Sequence, residues 1–546
     1  MRRTLHIVLA AALGLTGATL TGCEELPPDA ADTPAAPAPD PGGGGDPTPP
    51  APRPLCDADA PFDPGPAMPR RLTALEYRNT VRDLLGLELG DAITFPPDEQ
   101  ALGFDNNARA LQIGPLHTER YLAAAELITE QLRPHLADHL PCDPIATGAR
   151  ACAAEFIEAF GRRAWRRPLT PQERARLILL YDQGQTQEGP AFENGVTMVI
   201  EAMLQSPNFL FRIERGAPDP LRPELLQLDD HTLASRLSYL IWRTMPDDAL
   251  LAAADAGALR APAELAAQAE RMLRDPRARD AWWTFFAQWL HLDEIPALVR
   301  DPRYHPGFGD AERDYMTLVA RAFVEQAAWQ GDLRDLFDGR FTHPGDPPGA
   351  APRVGVLSLP GLLAVTSTPV MTHPIHRGVF VREQLLCTAL PPPPPDLAVV
   401  PPDPDPNLTT RQQFAEHSDN DACRGCHSLI DPIGFGFEHF DAVGEWRVVQ
   451  NGHPVDASGE LTATDVDGPY YGVDGLATRL ARSEMAHRCV AVQLFRYAHG
   501  RGESPSDGCA LDALYRRLVE DGYDFGAMIR ALVVDESFRY RRGDPT

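Results

Sequence analysis

Apolar residues recur at three- and four-residue intervals along most of the chain, while strict alternation is scarce. This pattern predicts a mainly α protein with few strands. Leu72 to Leu87 carries such a stripe, with Thr73 and Glu76 at capping-box spacing and Gly86 near its end. Residues 117–136, 152–165 and 171–184 repeat the period, the last behind Thr170-Pro171, a hydroxyl N-cap followed by Pro at the first helical position. Further helices are predicted over 192–204, 230–243, 263–274, 277–291 and 310–331. Val443 to Val449 is one candidate short strand. Trp282, Trp283, Phe285, Phe286 and Trp289 fall on nearly every face of one helix, which predicts core rather than a ligand platform.

Two Pro-rich stretches interrupt the helices. Pro27 to Pro54 contains 11 Pro and the run Gly42 to Gly45, the composition of a tether. Pro391 to Pro395, followed by Pro401 to Pro406, reads as an extended strut, since five consecutive Pro cannot be helix interior. Between the two, the punctuation separates helical domains at 56–138, 139–188 and 189–340, then a helical segment with polyproline linker over 341–406. A last module covers 407–546.

The N-terminus sets the compartment. Arg2 and Arg3 precede an apolar run from Leu5 to Leu20, the layout of a secretory signal over residues 1–22. Leu20-Thr21-Gly22-Cys23 resembles the bacterial lipobox, so Cys23 is expected to be lipidated and to open the tether over 23–55. Glu24 after that Cys points to an outer-membrane lipoprotein facing the periplasm or the cell surface. The 546 residues carry 50 Lys+Arg against 77 Asp+Glu, a net charge of -27, which argues against a nucleic-acid partner.

The candidate chemistry is Cys423-Arg424-Gly425-Cys426-His427. Two thiols three positions apart can add to the two vinyl groups of one haem, and the adjacent His then meets the iron. Chance predicts roughly 0.004 such matches from this composition. A thioredoxin-like dithiol wants a strand before the first Cys, where the chain is polar. A structural zinc site wants a second Cys/His pair, and no other CxxC exists. One covalent haem c, with His427 as proximal ligand, is therefore expected. The free ring nitrogen of His427 should donate to a carbonyl in an Asp431-Pro432-Ile433-Gly434 turn. The sixth ligand is not readable from the sequence: Met485 is one candidate and five-coordinate iron another, with Met371, His373, His376, His439, His453 and His499 competing.

Six Cys remain after Cys23 and the haem pair. Cys142–Cys152 and Cys489–Cys509 are the local disulfides, which leaves Cys56–Cys387 to join the two ends of the body.

Several segments together carry a resemblance. They include Arg71 to Tyr77, Gly103-Phe104-Asp105-Asn106-Asn107, Trp165-Arg166-Arg167-Pro168, Gln205-Ser206-Pro207-Asn208-Phe209-Leu210 and Leu233 to Trp242. Pro374-Ile375-His376-Arg377-Gly378, Ile430 to Phe435, Tyr497, Gly500-Arg501 and Phe538-Arg539 continue the series. The chain resembles exported planctomycete- and myxobacteria-type cytochrome c proteins built from a fixed series of domains of unknown function. The resemblance implies secretion, covalent haem c and helical domains, with 407–546 a cytochrome c-like module.

No Ser-His-Asp order, phosphate loop or HExxH motif appears. The expected function is electron transfer in the cell envelope, through a membrane-anchoring lipid and an unidentified redox partner protein. The alternatives are a peroxidase- or oxygenase-like haem enzyme with an open iron site, and a polymer- or ligand-binding surface protein with accessory haem. No catalytic residue can be named.

Overall fold

The computed structural model describes residues 56, 62–346, 351–390, 404–418 and 421–543. Cys23, the leader, most of the tether and Pro391 to Pro395 lie outside the described residues. The architecture is mainly α, and the strands form only two- and three-stranded sheets.

Local signals set many helix ends. Thr73 Oγ1 accepts the Glu76 N–H while Glu76 accepts the Thr73 N–H, both at 3.1 Å, and this box starts the helix Ala74–Leu85. Thr170 and Glu173 do the same for Pro171–Gly184. The helix expected over 117–136 runs from Pro115 to Leu132 and tightens to a 3-10 segment over Arg133–His139, where Pro134 has no N–H to give. The expected strand at Val443 to Val449 is mostly turn. Asp441 accepts the Val443 and Glu445 N–H groups at 2.9 and 2.8 Å, Trp446 makes an isolated bridge to Phe440, and only Val449 enters a strand, paired with Pro454.

Among the described residues two large apolar cores form, with a small third cluster at Val492, Phe495 and Leu511. One gathers Leu72, Tyr77, Ile128, Phe156, Tyr181 and Val199. The other runs from Pro276–Trp289 to Phe525–Val534 and buries Trp282, Phe285, Phe286 and Trp289, with Trp283 half-buried at its edge. Strands distant in sequence stitch the body together. Tyr540–Arg542 pairs with Leu225–Leu228, and Arg70–Arg71 pairs with Phe211–Arg212.

The disulfides are Cys142–Cys152, Cys56–Cys509 and Cys387–Cys489. The expected pairs Cys489–Cys509 and Cys56–Cys387 are thus exchanged, for a geometric reason. The helices Glu484–His499 and Gly508–Glu520 run antiparallel, with Leu511 packed on Val492 and Phe495 and Arg488 stacked on Tyr515. Cys489 is then level with Tyr515, about 9 Å along the axis from Cys509 at 1.5 Å per residue. That exceeds the Cα separation, up to about 7 Å, that a disulfide can bridge. The chain-entropy model assigns about 4.7 kcal/mol to a loop of the Cys387–Cys489 size, 102 residues.

Peptide mapping without reduction is expected to recover all three links, and a Cys489–Cys509 peptide would refute the pairing. Replacing Cys387 and Cys489 by Ser should cost about 2–5 kcal/mol in denaturant unfolding.

Candidate functional site

The Cys423–His427 motif lies on the helix Asp421–Phe435. The helical rise sets the two cysteine positions about one turn apart, with His427 directly after the second. Cys426 is half-buried and not in a disulfide. His427 Nδ1 lies 3.0 and 3.1 Å from the two carboxylate oxygens of Asp431, one turn further on. Asp431 itself is buried, 2% exposed. A carboxylate at Nδ1 favours the tautomer with the ring proton there and the lone pair on Nε2.

The expected carbonyl partner is therefore replaced by the Asp431 side chain. Residues 431–434 do not form a turn. They continue the helix through Pro432, so their carbonyls point toward the C-terminus and away from His427. The i,i+4 spacing of His427 and Asp431 was visible in the sequence, but only a continuous helix makes the two neighbours.

This helix is seated against Pro374–Phe380 at unusually close range. A Cβ at Gly434 would stand 1.8 Å from the Pro374 carbonyl oxygen, and one at Gly378 would stand 2.2 Å from that of Ile430. Only glycine fits either position. Arg377, next to Gly378 in sequence, is fully buried and donates to the Phe437, Phe440 and Asp441 carbonyls at 3.2, 3.1 and 2.9 Å. It also donates to Leu363 O and Ser367 Oγ. Burial draws its pKa down to about 10 against the pull of Glu438. Arg382 binds the Leu429 carbonyl at 3.0 Å, two residues past His427.

Other expected ligands have partners of their own. The Met485 side chain packs on the core, and its N–H is held by Asp465 at the start of Glu484–His499. His439 bridges the Arg447 carbonyl and the Tyr471 hydroxyl and stacks on Trp446. His453 reaches the Asn407 carbonyl. His373 and His376 stack face to face, ring centres 3.7 Å apart, beside the motif helix. His499 belongs to a separate arginine cluster. Met371 is half-buried, and its main chain is bonded to Thr368.

Family models described as proteins of unknown function match five consecutive segments. They are DUF1587 over residues 70–134, DUF1595 over 152–214, DUF1592 over 228–346, DUF1588 over 353–450 and DUF1585 over 468–538. The chain carries these domains of unknown function in series. The segment 353–450, whose model is named PSCyt3, contains both Pro374–Phe380 and the motif helix. No curated protein and no solved structure matches the chain.

Adding one methyl at Gly434 should force these two helices apart. Gly434→Ala is expected to lower stability by about 1–3 kcal/mol or more, whereas Gly425→Ala, where a Cβ meets nothing within 4 Å, should be mild. Equal melting temperatures for the two variants would contradict the close crossing.

Proposed function

We propose that this series of domains forms an exported c-type cytochrome, anchored by lipid at Cys23, that carries one covalent haem and transfers electrons in the cell envelope. One observation carries the reading: the His427–Asp431 pair follows Cys426 directly on a continuous helix. Cys423 and Cys426 would hold the haem through thioethers, and His427 would give Nε2 to the iron. When bound, haem supplies a one-electron couple. Asp431 keeps the ring proton on Nδ1, fixes the imidazole plane and raises the basicity of Nε2.

The compartment is supported separately. Three disulfides suit an oxidising space outside the cytoplasm. No described helix is long and apolar enough to cross a membrane, and the proposal assigns membrane attachment to acyl chains on Cys23. The location proposed is the outer membrane, on its periplasmic or surface side, with a redox partner protein in the same envelope.

Intact-protein mass spectrometry after expression with haem-c maturation machinery is expected to show the mass of one haem. Cys423→Ala or Cys426→Ala should lose a thioether and most holoprotein. A processed chain without haem mass would overturn the cytochrome reading. For the anchor, Cys23→Ser should leave the signal uncleaved or release the protein from membranes. A normally processed variant that still needs detergent for extraction would refute it.

A further inference from the structure

Far from the motif helix, four arginines converge where the strand pair Arg70–Arg71 and Phe211–Arg212 meets the helix Asp230–Ile241 and the C-terminal strand Tyr540–Arg542. Arg70, Arg236 and Arg541 are buried, and Arg212 is half-buried. Two carboxylates answer them. Glu76 accepts from Arg70 at 2.7 Å, and Glu214 accepts from Arg541 at 2.7 Å with Arg236 at 3.5 Å. His499, 3.5 Å from Arg236, adds no charge, because burial and the neighbouring Arg541 and Arg236 push its pKa well down. Four cations thus face two anions, a surplus of two positive charges (4 − 2).

The surplus shows at particular atoms. Arg236 Nη1, Arg212 Nε and Arg70 Nε are buried with no hydrogen-bond partner. Arg212 has neither an ion pair nor a side-chain hydrogen bond among the described residues, and its guanidinium lies over the Tyr239 ring at 5.1 Å. Burial and the charge of Arg70 lower its pKa to about 9. An uncompensated buried charge costs several kcal/mol, so a chain that collects four guanidinium groups here gains by holding an anion.

A cleft of about 470 Å³ opens onto this cluster, lined by Arg70, Arg212, Glu214, Arg236, His499 and Arg541. Two arginines at its rim are already neutralised: Arg501 pairs with Asp507 at 2.8 Å, and Arg542 pairs with Asp63 at 3.0 Å. Arg109, exposed at the rim, has no ion pair among the described residues, but water solvates its charge. The buried uncompensated charge therefore sits at the floor of the cleft. Water takes about 30 Å³ per molecule in the liquid, so the space admits a small organic dianion with several waters.

We propose that this cleft binds a small divalent anion, a dicarboxylate or an inorganic phosphate, on the guanidinium forks of Arg212 and Arg236. Both ligand types present the paired anionic oxygens that planar guanidinium groups match. The cluster draws Arg70, Arg212, Arg236 and His499 from four of the five family segments, and Arg541 lies just beyond the last. A bound anion would tie these segments together.

Calorimetric titration of the purified full chain with succinate, inorganic phosphate and acetate at matched ionic strength tests this. Saturable one-to-one binding of succinate or phosphate, but not acetate, is expected, with a saturable rise in Tm. Binding of one dianion only would name the source. Arg212→Gln should weaken binding at least tenfold, while Arg542→Gln at the rim should leave it unchanged. Arg212 has no ion pair to lose, so that variant keeps the test open even if Arg236→Gln fails to fold. No saturable binding of either dianion, or wild-type affinity in Arg212→Gln, overturns the proposal.

Discussion

Where Gly434 meets Pro374 and Gly378 meets Ile430, the glycines place no side chain between the two helices, and each lies against a main-chain carbonyl. That approach places the Cys423–His427 helix relative to the rest of the second core. Its consequences run along the helix in both directions. Toward the C-terminus, Arg377 fastens the Phe437–Asp441 loop. Toward the motif, Arg382 holds the Leu429 carbonyl while Asp431 orients His427. An imidazole set by a buried carboxylate on a helix that cannot shift is pre-organised for a ligand on its other nitrogen.

Buried arginine is the recurring device of this fold, and it is used in two ways. Arg166, in a left-handed conformation, donates to the Asn208, Phe209 and Phe211 carbonyls, and Arg300 donates to those of Ala364 and Ala442. Arg377 belongs with them. Each directs its Nη groups mainly to main-chain oxygens of segments distant in sequence and so fastens those segments to its own. Arg243 instead pairs with Asp105 at 2.7 Å beside Thr73. The cluster of Arg70, Arg212, Arg236 and Arg541 differs from both, because its four guanidinium groups share two carboxylates and Arg212 has no ion pair among the described residues.

What could be read from the sequence was local. Thr73 with Glu76 and Thr170 with Pro171 act within one turn, so residue type alone signals them. The aromatic helix at 276–289 was legible as core because its aromatic residues fall on nearly every face, although Arg279 and Asp280 keep part of its first half exposed. Pairings over long separation were not. Tyr540–Arg542 finds Leu225–Leu228 across more than half the chain, and the cysteine partners depend on how two antiparallel helices are offset. Asp431 was missed for a different reason. Pro432 is a helix breaker by type, yet here the helix runs through it and brings Asp431 under His427.

The central claim is that His427, set by Asp431, ligates haem iron. The most direct measurement is the reduced-minus-oxidised absorption spectrum of the full chain, expressed with haem-c maturation machinery, beside His427→Ala. The account predicts c-type haem bands in the wild type and a changed spectrum in the variant, even where porphyrin stays attached. A processed wild-type chain without haem bands, or a variant with the wild-type spectrum, would contradict it.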